Sequence, residues 1–253
     1  MDTITKAKIN LYAVLRNLED LCEMDSESKA IIKDIKLSVQ FNVTDVGSAT
    51  IKFENGKCTF YRGKKRAALK LYFVSPEHFN KLIDGEKTIP VFFNVFKAGF
   101  LLNQFTKLAD RLSYYLKPTD VKLLENAEFF NINTTLTAYT AFFAMSEIAN
   151  SDKIGKIIAR RMPDGLISCG ITDGPQVKLI LKDHKMSSEK GLAAENEWRA
   201  KMIFADMKFA HDLLNGKTSS FIGMGTGQFQ VKGYVEMLEQ MAKLLTQVSY
   251  YLA

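Results

Sequence analysis

Ser113-Tyr114-Tyr115-Leu116 and Ser249-Tyr250-Tyr251-Leu252 are two copies of one four-residue segment. Other matching segments precede both copies in the same order. Their separation drifts only between 128 residues (Thr44 to Thr172) and 136 residues (Ser113 to Ser249). Such ordered matches predict a tandem duplication with short insertions. The further pairs are Val43-Thr44-Asp45 with Ile171-Thr172-Asp173, Lys70-Leu71-Tyr72-Phe73 with Lys201-Met202-Ile203-Phe204, and residues 84–88 with residues 215–218.

The length of 253 residues predicts two domains, residues 1–117 and residues 118–253, each able to bury its own core. Pro118 marks the division because proline cannot continue the helix predicted before it. Hydrophobic residues make up 47% of the chain and charged residues 25%, which is typical of globular proteins. The sequence contains no apolar run of about 18 residues that could span a membrane. Residues 1–6 also lack a signal core, so we expect a cytoplasmic protein.

Charge and cysteine spacing restrict the expected partners. The net charge is +6, but the basic clusters, such as Lys64-Lys65-Arg66 and Arg160-Arg161, are small and carry no interleaved aromatic residues. We therefore expect no nucleic-acid binding, whereas an acidic membrane surface or an acidic protein partner remains open. Three widely separated cysteines predict neither a disulfide framework nor a zinc site.

Helices and strands alternate in the same order in both copies. Each copy opens with an apolar helical stripe that ends at Asp25 or Asp152, and strands with period-two alternation follow, as in residues 37–43. A hairpin turn is predicted at Asn55-Gly56 and a second turn at Asp183-His184. Ser75 and Asp206 are predicted to cap equivalent short helices.

Two glycine motifs are weak candidates for phosphate sites. Gly216-Lys217-Thr218 resembles the end of a phosphate-binding loop, but His211 stands where that motif needs glycine, so a helix C-cap is the better interpretation. Residues 223–227 (Gly-Met-Gly-Thr-Gly) precede a predicted strand rather than follow one, so they do not form a dinucleotide loop. We interpret them as a flexible connection and as the gate of a ligand site.

Catalytic and metal-binding residues are not evident in the sequence. His78, His184 and His211 have no cysteine or carboxylate at metal-ligand spacing, and we expect His78 and His211 to lie on the surface. No nucleophile elbow or pair of acids stands out. We therefore predict no metal and no cofactor, and we name no catalytic residue.

The order of elements resembles the sterol carrier protein type 2 superfamily. The resemblance is carried by residues 209–217 (Phe-Ala-His-Asp-Leu-Leu-Asn-Gly-Lys) and 228–233 (Gln-Phe-Gln-Val-Lys-Gly), and in the first copy by residues 79–85 and 96–99. It implies an α/β (α+β) fold of two tandem sterol-carrier-like domains, each a sheet covered by helices with an apolar cavity. Members of the family bind sterols, fatty acids or acyl chains.

The resemblance implies that the chain binds or carries a hydrophobic small molecule. The first copy replaces the glycine-rich segment with phenylalanines, which tend to close a cavity, so we predict the larger pocket in the second copy. Two alternatives are a non-catalytic accessory or interaction protein and an enzyme that uses His211 or Cys169 on a hydrophobic substrate. The residues predicted to line the pocket are Phe221, Met224, Phe229, Val235, Leu238 and Met241.

Overall fold

Alternating apolar residues form the inner strands of a five-stranded sheet in the first half of the chain. Strand β1 lies in the middle, antiparallel to β2 and parallel to β4, so that Phe41 pairs with Ala49 on one side and with Leu71 on the other. The strand order is β3-β2-β1-β4-β5. The strands are β1 (Leu37–Val43), β2 (Gly47–Glu54), β3 (Lys57–Arg62), β4 (Leu69–Phe73) and β5 (Val91–Phe93).

A second five-stranded sheet repeats this topology in the second half. Its order, β8-β7-β6-β9-β10, places β6 between an antiparallel and a parallel neighbour, as β1 is placed in the first sheet. The architecture is therefore mixed α/β, with two sheet-plus-helix units. The strands are β6 (Gly165–Ile171), β7 (Gln176–Lys182), β8 (Lys185–Lys190), β9 (Trp198–Phe204) and β10 (Phe229–Gly233).

The computed structural model describes residues 1–86, 88–93 and 98–252, and the chain divides into the compact units Asp2–Leu136 and Thr137–Ala253, here called the N-terminal and C-terminal units. The predicted segment 96–99 lies partly outside the described residues. Independent folding of residues 1–117 and 118–253 stays a prediction. Among the described residues, no helix has both the length and the apolar character needed to cross a membrane.

Helices precede and follow the strands in both units. Helices α1 and α2 are joined by a π-helical turn (Asn10–Val14) and a 3-10 turn (Leu15–Asn17), and a π-helical turn (Leu101–Phe105) leads into α6. A 3-10 turn, Val121–Glu125, precedes α7. The helices are α1 (Thr3–Ile9), α2 (Leu18–Met24), α3 (Ser26–Ile32), α4 (Pro76–Ile83), α5 (Ala98–Phe100), α6 (Thr106–Leu116), α7 (Ala127–Ser151), α8 (Lys153–Arg160), α9 (Met207–Leu214), α10 (Ser220–Thr226) and α11 (Val235–Leu252).

The matched sequence segments occupy equivalent positions in the two units. The Thr44 N–H donates to the Phe73 carbonyl, and the Thr172 N–H donates to the Phe204 carbonyl, so each link joins the end of the central strand to its parallel neighbour. The aspartate that follows, Asp45 or Asp173, has a positive φ in both units (62° and 56°). The repeated tripeptide thus forms one recurring strand end.

The predicted caps and turns are confirmed. Ser75 and Asp206 accept N-cap hydrogen bonds at the starts of α4 and α9. Two-residue turns at positions 55–56 and 183–184 connect the hairpin strands. Gly216 ends α9 with φ +70°, and its N–H donates to the Leu213 carbonyl while the Lys217 N–H donates to the Asp212 carbonyl. This is a C-terminal helix cap and not a phosphate-binding loop.

The repeated Ser-Tyr-Tyr-Leu segment ties α6 to the start of α3 and α11 to the start of α8. The Tyr115 hydroxyl donates to Asp25 Oδ1 at 3.0 Å, and the Tyr251 hydroxyl donates to Asp152 Oδ2 at 2.7 Å. Asp25 and Asp152 also cap helices α3 and α8. Each aspartate therefore satisfies backbone N–H groups at a helix start and holds a tyrosine.

Candidate functional site

Helix α10 begins at Ser220 and ends at Thr226, so the prediction that residues 223–227 form a flexible connection is wrong. Ser219 caps the helix by accepting from the Ile222 N–H, and Gly227 follows it in the left-handed conformation. Gly223 is the buried residue of the helix. A methyl group on Gly223 would collide with the Phe209 ring and stand 2.9 Å from Phe229 Cβ. The glycine is thus needed for close helix packing rather than for flexibility.

The opposite side of α10 exposes large apolar side chains. Phe221 is 81% exposed, Ile222 57% and Met224 42%. Phe221 and Met224 are three residues apart on this helix and Ile222 is adjacent to Phe221, so the three exposed side chains are neighbours on its surface. We call these three residues the α10 patch.

An aromatic layer lies beneath α10 in the C-terminal unit. The Phe204 ring centroid is 5.0 Å from that of Phe229 and 6.4 Å from that of Phe209. A Cβ atom on Gly223 would meet the Phe209 ring and the Phe229 Cβ atom, so α10 packs closely against both residues at Gly223.

Helix α11 packs against α8, β9 and β10, and its inward face contains two methionines. Met237, Met241 and Leu244 are fully buried and follow a spacing of four and three residues along one face of the helix. Methionine is unbranched and adapts its shape to its neighbours, so this face can rearrange around an apolar molecule.

The six residues predicted to line a pocket fall into two groups. Phe229 and Met241 are buried, and Leu238 is half-buried. Phe221, Met224 and Val235 are largely exposed, with Val235 at 76%. That all six line one ligand site stays a prediction.

Residues that sequence reasoning missed include Ile222, Phe209 and Gln240. Ile222 belongs to the α10 patch, Phe209 carries the contact with Gly223, and Gln240 is buried on α11. The helical spacing of Gln240 with Met237 and Leu244 was a sequence signal for its burial. No comparable signal existed for Phe209, because its role depends on a helix folding over it.

The two residues considered for catalysis are both buried. The prediction that His211 lies on the surface is wrong: it is 4% exposed, and burial lowers the pKa of its imidazole. Burial raises the pKa of the Cys169 thiol to about 12, so that thiol is protonated at neutral pH and unsuited to act as a nucleophile. Among the described residues, no group of three or more metal-ligating side chains is placed to hold a metal ion.

The N-terminal unit fills the corresponding region with aromatic rings. The Phe105 ring lies 5.6 Å from Phe41 and 6.3 Å from Phe100, and Phe100 lies 5.7 Å from Phe53. Met241 of α11 stands where Phe105 stands in the first copy, if the two Ser-Tyr-Tyr-Leu segments are aligned. That the larger pocket lies in the C-terminal unit stays a prediction.

Solved structures of sterol carrier proteins match this chain. The sterol carrier protein domain 2 of Helicoverpa armigera is 12% identical, with a TM-score of 0.36, and the match covers 45% of this chain and 89% of that one. Sterol carrier protein 2 from Yarrowia lipolytica is 18% identical, with a TM-score of 0.35 and coverages of 45% and 92%. A UbiJ-SCP2 ubiquinone synthesis protein is 10% identical, with a TM-score of 0.35 and coverages of 46% and 93%.

No protein-family model matches the sequence. No curated protein matches it either.

Gly223→Ala tests whether α10 is held through its glycine. We expect the variant to lose about 1–3 kcal/mol of stability, because the added methyl group collides with the Phe209 ring. It should also bind more of an environment-sensitive apolar dye. Gly225→Ala in the same helix is the matched control, since a methyl group there meets no atom within 4 Å. Equal effects of the two substitutions on urea unfolding and dye binding would contradict this account of the packing.

Proposed function

We propose that the C-terminal unit binds a hydrophobic small molecule of the lipid, fatty-acyl or sterol-like kind, and that α10 forms the entrance to its site. The observation that carries the proposal is the α10 patch on a helix that contacts Phe209 and Phe229 through Gly223. A helix attached through glycine buries little side-chain area of its own. It can therefore move without the loss of a large apolar contact.

On binding, the apolar surfaces of the ligand and of its site would lose contact with water and gain contact with each other. Burial of apolar surface contributes about 25 cal/mol per Å², so an acyl chain placed against Phe229 and the methionines of α11 gains affinity from area alone. Pockets for such molecules are lined mainly by apolar and aromatic residues with a few polar groups that fix orientation. The resemblance of residues 209–217 and 228–233 to sterol carrier sequences supports the same ligand class.

The direct test is native mass spectrometry of the protein purified from its own host, followed by titration with fatty acids and acyl thioesters. We expect a bound lipid-like species and saturable binding of an apolar fluorescent probe. The absence of both would contradict the proposal.

Met241→Trp tests where the ligand binds. The indole adds volume to the buried face of α11, so we expect at least a tenfold loss of probe affinity in a protein that still folds. Leu108→Trp is the matched control, because Leu108 is fully buried on α6 in the N-terminal unit. The control should keep probe affinity and lose about 1–3 kcal/mol of stability through overpacking. If probe binding is lost in Leu108→Trp and kept in Met241→Trp, the site lies in the N-terminal unit and the proposal is wrong.

The exposure of Phe221 also favours a second candidate, an accessory protein whose α10 patch contacts a protein partner. Interfaces are enriched in exposed aromatic residues and methionine. Phe221→Ser separates the two functions, since it removes an aromatic anchor from the surface but leaves Met237 and Met241 in place. Unchanged probe affinity together with loss of a co-purifying protein would favour the interaction function.

A further inference from the structure

Gln240 is a polar side chain buried in the apolar face of α11. It is 4% exposed and lies on the same helix face as Met237, Met241 and Leu244, which are fully buried. Its Oε1 atom has no hydrogen-bond partner among the described residues. The amide oxygen thus lies on a buried, mainly apolar helix face, with no donor among those residues.

A buried acceptor without a partner destabilises a folded protein, and such groups are rare in native structures. Leucine or methionine would fit the pattern of α11 better. Alignment of the Ser-Tyr-Tyr-Leu segments places Gln104 of the first copy opposite Gln240. Gln104 is only half-buried, so the amide is withdrawn from solvent in the C-terminal unit and not in the N-terminal unit.

We infer that Gln240 is a specificity-determining residue of the proposed ligand site, where its amide hydrogen-bonds to a neutral hydroxyl group of the ligand. This inference rests on the proposed function and adds the polar chemistry of the ligand to it. An amide oxygen needs a donor, and a hydroxyl group supplies one. An ionised carboxylate carries acceptors only, and moving its charge into an apolar site is costly. The site therefore selects hydroxyl-bearing molecules over ionised acids.

The test compares three ligands with the same chain length: 1-dodecanol, dodecane and dodecanoate. Each displaces an apolar fluorescent probe from the full-length protein and from Gln240→Leu. We expect Gln240→Leu to lose about tenfold affinity for 1-dodecanol, or ~1.4 kcal/mol, and to keep its affinity for dodecane. Without ligand, the Tm of this variant should rise by about 2–4 °C, because the unpaired acceptor is gone.

Two further variants keep the experiment interpretable. Gln240→Met preserves the length of the side chain and should reproduce the loss for 1-dodecanol if Gln240→Leu fails to fold. Gln104→Leu is the matched control and should leave the order of the three affinities unchanged.

The outcomes separate this inference from the proposed function. If Gln240→Leu changes the affinities for dodecane and for 1-dodecanol by the same factor, Gln240 does not determine specificity. The proposed hydrophobic site is then unaffected. Tighter wild-type binding of dodecanoate than of 1-dodecanol would overturn the ligand class. Failure of the wild-type protein to bind any of the three would overturn the proposed function, and this inference with it.

Discussion

Replacing Asp25 by alanine is expected to lower the free energy of unfolding by about 2–4 kcal/mol, because it removes a buried carboxylate that is hydrogen-bonded to a half-buried arginine and caps a helix. The Asp25 carboxylate accepts from the Arg111 guanidinium at 2.5 and 3.1 Å, from the Tyr115 hydroxyl at 3.0 Å and from the Ser28 N–H at 2.9 Å. The substitution removes the acceptor of the Tyr115 hydroxyl and the cap of α3. It also leaves Arg111 with only the more distant Glu27 carboxylate, at 3.4 Å. Urea unfolding at neutral pH measures the effect.

The same cluster predicts a dependence of stability on pH. Burial alone would raise the pKa of the Asp25 carboxyl, but hydrogen bonds from Arg111, Ser28 and Tyr115 outweigh burial and hold the pKa below its ordinary value. A carboxyl with a lowered pKa stabilises the fold fully above the unfolded-state pKa of about 4. That contribution is lost as the pH falls through the lowered folded-state pKa. The wild-type protein should therefore lose its stability advantage over Asp25→Ala in acid.

Asp152→Ala is the matched control in the C-terminal unit. Asp152 accepts from the Tyr251 hydroxyl and from two backbone N–H groups, but Gln247 stands in the sequence position that corresponds to Arg111. Without an ion pair to break, the loss should be about 1–2 kcal/mol, close to that of a helix cap. Equal losses for Asp25→Ala and Asp152→Ala would show that the arginine contributes nothing.

Gly233→Ala is expected to have an effect of similar size, with a loss of about 3–4 kcal/mol or failure to fold. Gly233 ends β10 with φ +98°, a conformation that strains any other residue. A methyl group there would also collide with the Arg199 carbonyl oxygen and stand 3.0 Å from the Ala200 Cα atom. Both obstacles are backbone atoms of β9, the neighbouring strand in the sheet, and cannot move aside as a side chain would.

Gly227→Ala separates the effect of backbone strain from the effect of the collision with β9, which act together in Gly233→Ala. Gly227 also has a positive φ, +76°, but a methyl group there meets no atom within 4 Å. This control should lose only about 1 kcal/mol, the cost of backbone strain alone. If thermal unfolding shows the same loss of stability for both variants, the close approach of β9 and β10 does not contribute to the destabilisation in Gly233→Ala.

Local features of the fold were predictable from the sequence, because the residues that determine them are neighbours in the chain. The caps at Ser75 and Asp206, the turn at Asn55-Gly56 and the helix end at Gly216 each depend on fewer than six consecutive residues. The repeated segments also predicted equivalent positions in two units. Period-two alternation was enough to locate β1 with its observed bounds, Leu37–Val43.

The candidate site was less predictable because it depends on contacts between distant segments. Glycines at 223 and 225 indicated a flexible segment, yet α10 forms because Gly223 lets the helix approach Phe209 and Phe229. His211 carries a polar side chain on a short helix, and only packing in the folded unit determines its burial. Exposure of Phe221 has the same origin, since nothing near it in the sequence distinguishes it from a core residue.

The links from tyrosine to aspartate have a consequence for synthesis on the ribosome. Asp25 and Tyr115 lie 90 residues apart, and Asp152 and Tyr251 lie 99 residues apart. Helices α3 and α8 are synthesised before the tyrosines that bind their capping aspartates. Each hydrogen bond can form only after the tyrosine has been added to the chain. Because contacts of long sequence separation form slowly, these two links form only after α6 and α11, respectively, have left the exit tunnel. Until then, the Tyr115–Asp25 and Tyr251–Asp152 hydrogen bonds cannot form, and neither aspartate has its tyrosine donor.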